Sequence, residues 1–280
     1  MGKTKTALAL SGQYGLGAAE QIELYKRVGF DGFFFGLSRD TDVASIVNAA
    51  ERHGMEIGSI HAPFMKCDKL WESSPETEGA IAEQIRCIEV CSEYGIDVLV
   101  AHVFIGFDKH EPTEFGIRSF ERIVEAATSR GVRLAFENTE GEEYLDAVME
   151  HFRGNSAVGF CLDTGHEICY NPTRDMVADY GDRLIYTHIN DNLGVCGEKI
   201  TYLDDLHLLP FDGVCDFDGV ARRLAECGYD GTLSFELSTV SKPGRNENDR
   251  YAAMGTEEYV AEAYKRARRV AELFEGYLKK

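Results

Sequence analysis

Short apolar runs rich in β-branched and aromatic residues alternate with longer segments of helical periodicity along the whole chain. The segment 78–94 shows the helical pattern, because Ile81, Ile85 and Ile88 are spaced four and three residues apart and form one apolar stripe. Gly95 follows this stripe directly before the next apolar run, where a helix C-cap belongs. The pattern predicts strands at residues 6–10, 31–35, 56–61, 97–103, 133–137, 157–163, 184–188 and 232–236.

A repeated cycle of helix, glycine and strand is typical of parallel strands joined by helical crossovers. About eight such units in a chain of 280 residues match the size of a (β/α)8 barrel. No linker interrupts the cycle, so we predict a single TIM-barrel domain over residues 1–280, with its site at the C-terminal ends of the strands. A doubly wound open sheet is the alternative, but residues 11–17 fit neither the dinucleotide-binding nor the P-loop glycine spacing.

Ionisable residues stand at the ends of most predicted strands, directly after apolar residues. They are His61, His102, Glu137, Asp163, His188 and Glu236. Because barrel strands end on one face, these side chains should converge in one cavity, where a cation would offset the cost of burying their charges. Imidazole and carboxylate donors predict a divalent metal cofactor, with Mn, Zn, Co, Fe and Mg all left open.

Two further elements extend this cluster. His166 lies three residues after Asp163, and Asp205 and His207 form an Asp-x-His pair in the loop that follows the seventh predicted strand. These residues are candidates for a second metal site or for holding a substrate hydroxyl.

The charge balance bears on the partners of the protein. The chain has 29 Lys and Arg against 48 Asp and Glu, a formal net charge of −19 that repels polyanions at long range. We therefore expect neither nucleic acid nor an anionic membrane as a partner. The first apolar run, residues 7–10, is too short for a secretion signal, which predicts a cytoplasmic protein. The eight cysteines include no Cys-x-x-Cys pair, so we expect buried, reduced thiols.

Five short motifs occur in order at the strand ends: His61-Ala62-Pro63-Phe64, Phe136-Glu137-Asn138-Thr139, Leu162-Asp163-Thr164-Gly165-His166, His188-Ile189-Asn190-Asp191-Asn192 and Phe235-Glu236. Together they resemble the xylose-isomerase-like TIM-barrel superfamily. This superfamily includes sugar phosphate isomerases and epimerases, inosose-type dehydratases and metal-dependent apurinic endonucleases. The resemblance extends over nearly the whole chain.

The resemblance implies an isomerase or epimerase that acts on a sugar, a sugar phosphate or a polyol. The metal would be held by Glu137, Asp163, His188 and Glu236. Glu137 and Glu236 would also serve as acid and base, moving a proton through a metal-stabilised enediolate. His166 would position a substrate oxygen.

The same superfamily supplies an alternative, a zinc-dependent endonuclease that cleaves phosphodiesters at abasic sites. The residue types that hold three zinc ions in those enzymes are matched here by His61, His102, Glu137, Asp163, His166, His188, Asp205, His207 and Glu236. The net charge and the absence of a basic residue from the loop 188–194 argue against it. Phe211 stands where epimerase-like members usually carry glycine. A barrel that binds a metal or a polyol without catalysis is a further alternative.

Residues in the loops after predicted strands are candidates for substrate binding. Aromatic side chains pack against the apolar face of a sugar, and the candidates are Tyr14, Phe64, Trp71 and Phe104. Lys242 and Arg245 follow the last strand, where barrels often bind phosphate, so a phosphorylated or carboxylated carbohydrate is also considered. Residues 257–278 predict a final helix with an extension that could contact a second copy of the chain in a homo-oligomer.

Overall fold

The computed structural model describes residues 2–108 and 111–279. Parallel strands alternate with helices along the chain, as the sequence predicts. The strands are β1 (Thr6–Ala9), β2 (Gly32–Gly36), β3 (Glu56–His61), β4 (Val98–His102), β5 (Arg133–Glu137), β6 (Val158–Asp163), β7 (Leu184–His188) and β8 (Leu233–Phe235). Each lies within two residues of its predicted bounds.

Helices cover the outside of the strands. They are α1 (Ala18–Val28), α2 (Val43–His53), α3 (Thr77–Tyr94), α4 (Glu114–Arg130), α5 (Glu142–His151), α6 (Thr164–Cys169), α7 (Met176–Tyr180), α8 (Phe217–Glu226), α9 (Asp249–Ala252) and α10 (Thr256–Leu278). Short 3-10 helices lie at Gly12–Tyr14, Cys67–Trp71, Gly181–Arg183 and Tyr202–Asp204. Gly95 ends α3 with a left-handed φ of 66°, which confirms the predicted cap.

The sheet curls into a nearly closed barrel. Its strand order is β7-β6-β5-β4-β3-β2-β1-β8, with parallel pairing throughout. A parallel bridge between Ile189 and Phe235 brings the two outer strands together, and the amide of Ile189 donates to the carbonyl of Ser234 at 2.7 Å. The predicted (β/α)8 barrel is therefore confirmed, and its strand ends converge on one face.

The loop between β7 and α8, residues 189–216, holds two of the candidate ligands. The amides of Asp191 and Leu208 each donate to the carbonyl of the other at 2.9 Å, which folds the loop back on itself. His207 and Phe211 adopt positive φ angles of 49° and 72°, which L-residues rarely adopt. Phe211 thus occupies a backbone conformation that glycine would adopt without strain.

Two other sequence expectations can be compared with the structure. All eight cysteines are free thiols, and five of them are buried: Cys67, Cys87, Cys91, Cys161 and Cys169. Within residues 2–108 and 111–279, no helix has both the length and the apolar character needed to cross a bilayer.

Candidate active site

The carboxylate of Glu137, at the end of β5, lies at the centre of the converging strand ends. Its Oε2 is 3.2 Å from Nε2 of His61 and 3.3 Å from Nε2 of His102. Its Oε1 is 3.0 Å from Nδ1 of His188. All four side chains are buried. The structure therefore brings together imidazoles from three strands around one carboxylate.

A second group of donors shares Glu137 and adds residues from β6, β7 and the end of β8. Donor atoms of Glu137, Asp163, His188 and Glu236 all lie within 4.8 Å of one another. Nδ1 of His188 is 3.2 Å from Oε2 of Glu236. Asp163 is oriented by the side-chain amide of Asn190, which donates to its Oδ2 at 2.8 Å. This is the quartet that the resemblance implies.

The third group consists of His166, Asp205 and His207. Oδ1 of Asp205 is 3.5 Å from Nε2 of His166 and 2.9 Å from Nε2 of His207. This oxygen is buried, and despite these short distances no described residue donates a hydrogen bond of good geometry to it. The second carboxylate oxygen of Asp205, Oδ2, accepts from Nζ of Lys242 at 3.1 Å. A buried carboxylate oxygen that faces two imidazole nitrogens has the surroundings of a metal ligand.

Three histidines have one ring nitrogen fixed by a backbone carbonyl, which accepts from Nδ1. The partners are the carbonyl of Ala62 for His61 at 2.8 Å, that of Asn138 for His166 at 3.0 Å and that of Glu236 for His207 at 3.0 Å. A neutral imidazole bound in this way turns the lone pair of Nε2 towards a carboxylate oxygen. Two lone pairs that face each other require a cation or a proton between them. The donor set therefore fits divalent metals.

The titration behaviour of these groups reflects their burial and their mutual charge. Burial acts to raise the pKa of the Glu137 carboxyl, but His188 and the other imidazoles outweigh it and hold that pKa well below its usual range. Burial raises the pKa of Asp163 to about 6, although His166 opposes this shift. Burial lowers the pKa of His102. The cluster thus combines ionised carboxylates with imidazoles in a site shielded from water.

A cavity of about 550 Å³ opens above these groups. Its lining includes His61, His102, His166, Asp205, His207, Glu236 and Lys242, all predicted site residues, together with the predicted substrate residue Phe64. It also includes Met65, Ile105, Gly106, Phe107, Glu140, Tyr170 and Tyr202, which the sequence analysis did not single out. These additional residues lie in loops or short helices, where the sequence has no regular pattern of apolar and polar positions. Only their location after a strand could have marked them as cavity residues.

Several predicted substrate residues lie elsewhere in the described chain. Tyr14 is buried with its ring centroid 5.8 Å from that of Tyr259. Trp71 is buried in a 3-10 helix, and its Nε1 donates to the carbonyl of Val103 at 2.7 Å. Both side chains therefore serve packing rather than the cavity.

Phe104 and Arg245 also lie outside the cavity lining. Phe104 stacks on Tyr144 with ring centroids 4.0 Å apart. Arg245 forms an ion pair with Glu247 at 2.7 Å. Of the two cations proposed to bind phosphate, Lys242 alone lines the cavity within the described part of the chain.

Comparison with known proteins places this fold and site in context. The protein is 32% identical over 197 residues to the uncharacterized protein y4fM of Sinorhizobium fredii, a match that covers 64% of this chain and 61%, less than two thirds, of that relative. The solved structure of an L-ribulose 3-epimerase superposes with a TM-score of 0.73 at 14% identity, covering 99% of this chain and 96% of the other. The structure of a D-allulose 3-epimerase from Methylomonas sp. superposes with a TM-score of 0.70 at 16% identity, covering 94% of this chain and 96% of the other.

A family profile assigns the chain to a protein family. The profile of the xylose isomerase-like TIM barrel matches residues 22–269, which includes every strand except β1 and every candidate metal ligand. The superfamily resemblance noted in the sequence is thereby confirmed. This chain belongs to the xylose isomerase-like TIM barrel family.

Proposed function

We propose that this protein is a metal-dependent isomerase or epimerase of a carbohydrate or polyol, with Glu137 and Glu236 as acid and base. The observation that supports it most is that both carboxylates face Nδ1 of His188, at 3.0 and 3.2 Å. Glu236 lines the cavity, and Glu137 contacts two histidines of the cavity lining. Two carboxylates beside one site are the groups needed to remove and return a proton on carbon. The sugar epimerases with a similar fold support the substrate class by analogy.

The donors Glu137, Asp163, His188 and Glu236 would hold the metal. Carboxylate and imidazole ligands of this kind suit Mn²⁺, Zn²⁺, Co²⁺, Fe²⁺ and Mg²⁺. When bound, a divalent metal supplies Lewis-acid stabilisation of negative charge on substrate oxygens. Asp163 serves as a ligand only, because Asn190 and the amide of His166, at 2.8 and 2.7 Å, hold its two oxygens.

The two glutamates differ in their access to the cavity. The side chain of Glu137 is fully buried, whereas that of Glu236 is 29% exposed and lines the cavity. Glu236 is therefore the carboxylate that can exchange its proton with solvent. Glu137 would exchange its proton with the substrate and the neighbouring imidazoles, shielded from solvent. If the two act on opposite faces of a carbon, its configuration inverts; transfer between neighbouring carbons interconverts aldose and ketose.

The test is a panel of aldoses, ketoses and cyclic polyols incubated with the metal-loaded protein in D2O. We expect NMR to show deuterium entering one carbon-bound position of a substrate as its isomer or epimer forms. Glu236→Gln should slow the growth of both signals by about 10²-fold or more, whereas Glu93→Gln, at an exposed position of α3, should preserve them. A panel without exchange or conversion at any metal loading would contradict the proposal and favour a barrel that only binds.

A phosphodiesterase is the second candidate, because the groups His61–His102–Glu137 and His166–Asp205–His207 add two further donor sets to the quartet. Several metals in one site suit phosphodiester cleavage. About three zinc ions per chain, with cleavage of an oligonucleotide that contains an abasic site, would establish this function instead. One metal per chain, with deuterium exchange into a sugar, would establish the first.

A further inference from the structure

The mouth of the cavity is apolar, in contrast to its floor. We call the side chains that form it the apolar collar: Phe64, Met65, Ile105, Phe107, Tyr170 and Tyr202. Four of them remain exposed, with relative exposures of 37% for Phe64, 72% for Met65, 38% for Phe107 and 54% for Tyr202. Elsewhere in the described chain the large exposed apolar side chains are Leu193, Val214 and Val240. Exposed apolar surface is therefore concentrated at this mouth, which is typical of a binding site.

The collar rests directly on the histidines of the floor. The ring of Phe64 stacks on that of His102 with centroids 4.5 Å apart, and the ring of Tyr170 lies 4.9 Å from that of His166. Phe107 packs against Tyr170 at 5.7 Å. Because these collar rings contact the floor histidines directly, we expect a single ligand that reaches the floor to lie against the collar side chains as well.

The size of the cavity and the separation of its polar floor from its apolar collar limit which ligands fit. A volume of about 550 Å³ lies within the range of roughly 300–1,000 Å³ that encloses drug-sized ligands. Hydroxyl groups find partners at the floor, where the carboxylates and imidazoles lie. The collar offers aromatic faces, which a small polyol held at the floor would leave exposed. A ligand that covers both zones carries an apolar group beyond its polar part.

The charges argue against a phosphorylated ligand. Lys242 is the one Lys or Arg side chain among the described residues that lines the cavity, and Asp205 pairs with it at 3.1 Å. Glu140, Asp205 and Glu236 add carboxylates to the same wall. A phosphate dianion held away from the proposed metal would meet these carboxylates with a single, already paired ammonium group.

We propose that the substrate is an uncharged carbohydrate or polyol that carries a planar apolar substituent, with the polar part at the floor and the substituent in the apolar collar. The carbohydrate part of this inference rests on the proposed function. The substituent is inferred from the collar itself and can be tested by binding alone.

The test is calorimetric titration of the Mn²⁺-loaded protein with matched phenyl and methyl glycosides of the common hexoses and pentoses, and with hexose 6-phosphates. We expect at least one phenyl glycoside to bind about ten-fold or more tightly than its methyl partner, because the ring buries additional apolar area. Phe107→Ala should reduce that ratio to near one. Leu193→Ala, at 39% exposure against 38% for Phe107, is the matched control and should preserve it.

The inference would be overturned by equal affinity within every pair, by no phenyl glycoside binding, or by tighter binding of a hexose phosphate. Self-association that Phe107→Ala abolishes would also overturn it, by showing that the collar binds a second copy of the chain. A phenyl preference, without deuterium exchange or isomerisation of any free aldose, ketose or polyol in D2O, would leave this inference intact and contradict the proposed function. Isomerisation of simple sugars without a phenyl preference would do the reverse.

Discussion

Oε1 of Glu137 and Nδ1 of His188 lie 3.0 Å apart, and both side chains are fully buried. The two residues come from β5 and β7, which are separated in the sheet by β6. Their contact therefore crosses the inside of the barrel rather than running along a strand pair. Burying these charged groups together costs free energy, so a bound cation that offsets part of this cost should stabilise the folded state.

The first prediction concerns metal retention. Asp163→Asn should lose most of the metal that the wild-type protein retains, because an amide replaces one charged ligand of the quartet. Elemental analysis of protein purified without chelator measures this directly. Asp175→Asn, which changes the N-cap residue of α7, is the control and should retain the wild-type metal content. Equal metal content in Asp163→Asn would remove Asp163 from the ligand set.

A second prediction links the metal to thermal stability. Addition of the retained metal to chelator-treated protein should raise the melting temperature. At a metal concentration one hundred times the dissociation constant, the free energy of unfolding should increase by about 2.7 kcal/mol. Scanning calorimetry with and without the metal measures the shift. Asp163→Asn should show a smaller shift than Asp175→Asn. A wild-type melting temperature that does not respond to any divalent metal would contradict a metal site in this cluster.

A third prediction separates chemistry from binding. Glu236→Gln should lower kcat by about 10²–10⁴-fold, the range expected when a general acid or base is lost. Substrate affinity should change far less in a variant that is loaded with metal to the wild-type level. Steady-state kinetics combined with direct binding measures both quantities. Proportional losses in both would indicate that Glu236 only holds the metal.

A fourth prediction concerns the thiols. Burial raises the pKa values of Cys87 and Cys91 to about 12, so at pH 8 only about one such thiol in 10⁴ is ionised. Cys196 is exposed. We expect one fast-reacting thiol with Ellman's reagent in the native protein and eight after denaturation. The fast phase should disappear in Cys196→Ser and persist in Cys87→Ser; fast labelling of the buried pair at pH 8 would contradict this assignment.

A fifth prediction tests the strained loop after His207. Phe211 has a φ of 72°, and its ring packs under Arg269, whose guanidinium carbon is 3.8 Å from the ring centroid. Phe211→Ala removes the ring and retains the strain, whereas Phe211→Gly removes both. The glycine variant should therefore be more stable than the alanine variant by about 1 kcal/mol in denaturant unfolding.

The exposed Val214 is a suitable control for this comparison, since its φ is not positive. There the order should reverse, with alanine more stable than glycine, because glycine gains more conformational freedom on unfolding. If Phe211→Gly is no more stable than Phe211→Ala, the positive φ carries no cost in this loop.

The strand ends could be read from the sequence because parallel pairing in a barrel fixes where each strand terminates. His61, His102 and Glu137 each occupy the last position of their strand, directly after apolar residues, and the barrel leaves them one face to share. The positions of loop residues are not fixed by strand pairing in this way. Tyr202 lies in a 3-10 helix within the long loop after β7, and its place at the cavity follows from how that loop folds back.

Trp71 was singled out from the sequence, but it lies outside the cavity lining. The sequence places it after β3, where a substrate-binding aromatic residue is plausible. Gly116 of α4 leaves the space that its indole fills, since a Cβ there would lie 2.0 Å from the ring. The pairing of a glycine with an aromatic residue 45 positions away involves tertiary contacts that periodicity does not reveal.

The separation of the polar floor from the apolar collar divides the chain into two sets of positions that can change independently. The floor is carried largely by strand ends, whose placement the barrel enforces, while Met65, Phe107 and Tyr202 belong to the connections between strands and helices. Exchange of those connections could redirect the barrel to a new ligand without dismantling its proposed catalytic groups. An engineer who wished to alter specificity would therefore graft loops and leave the strands alone.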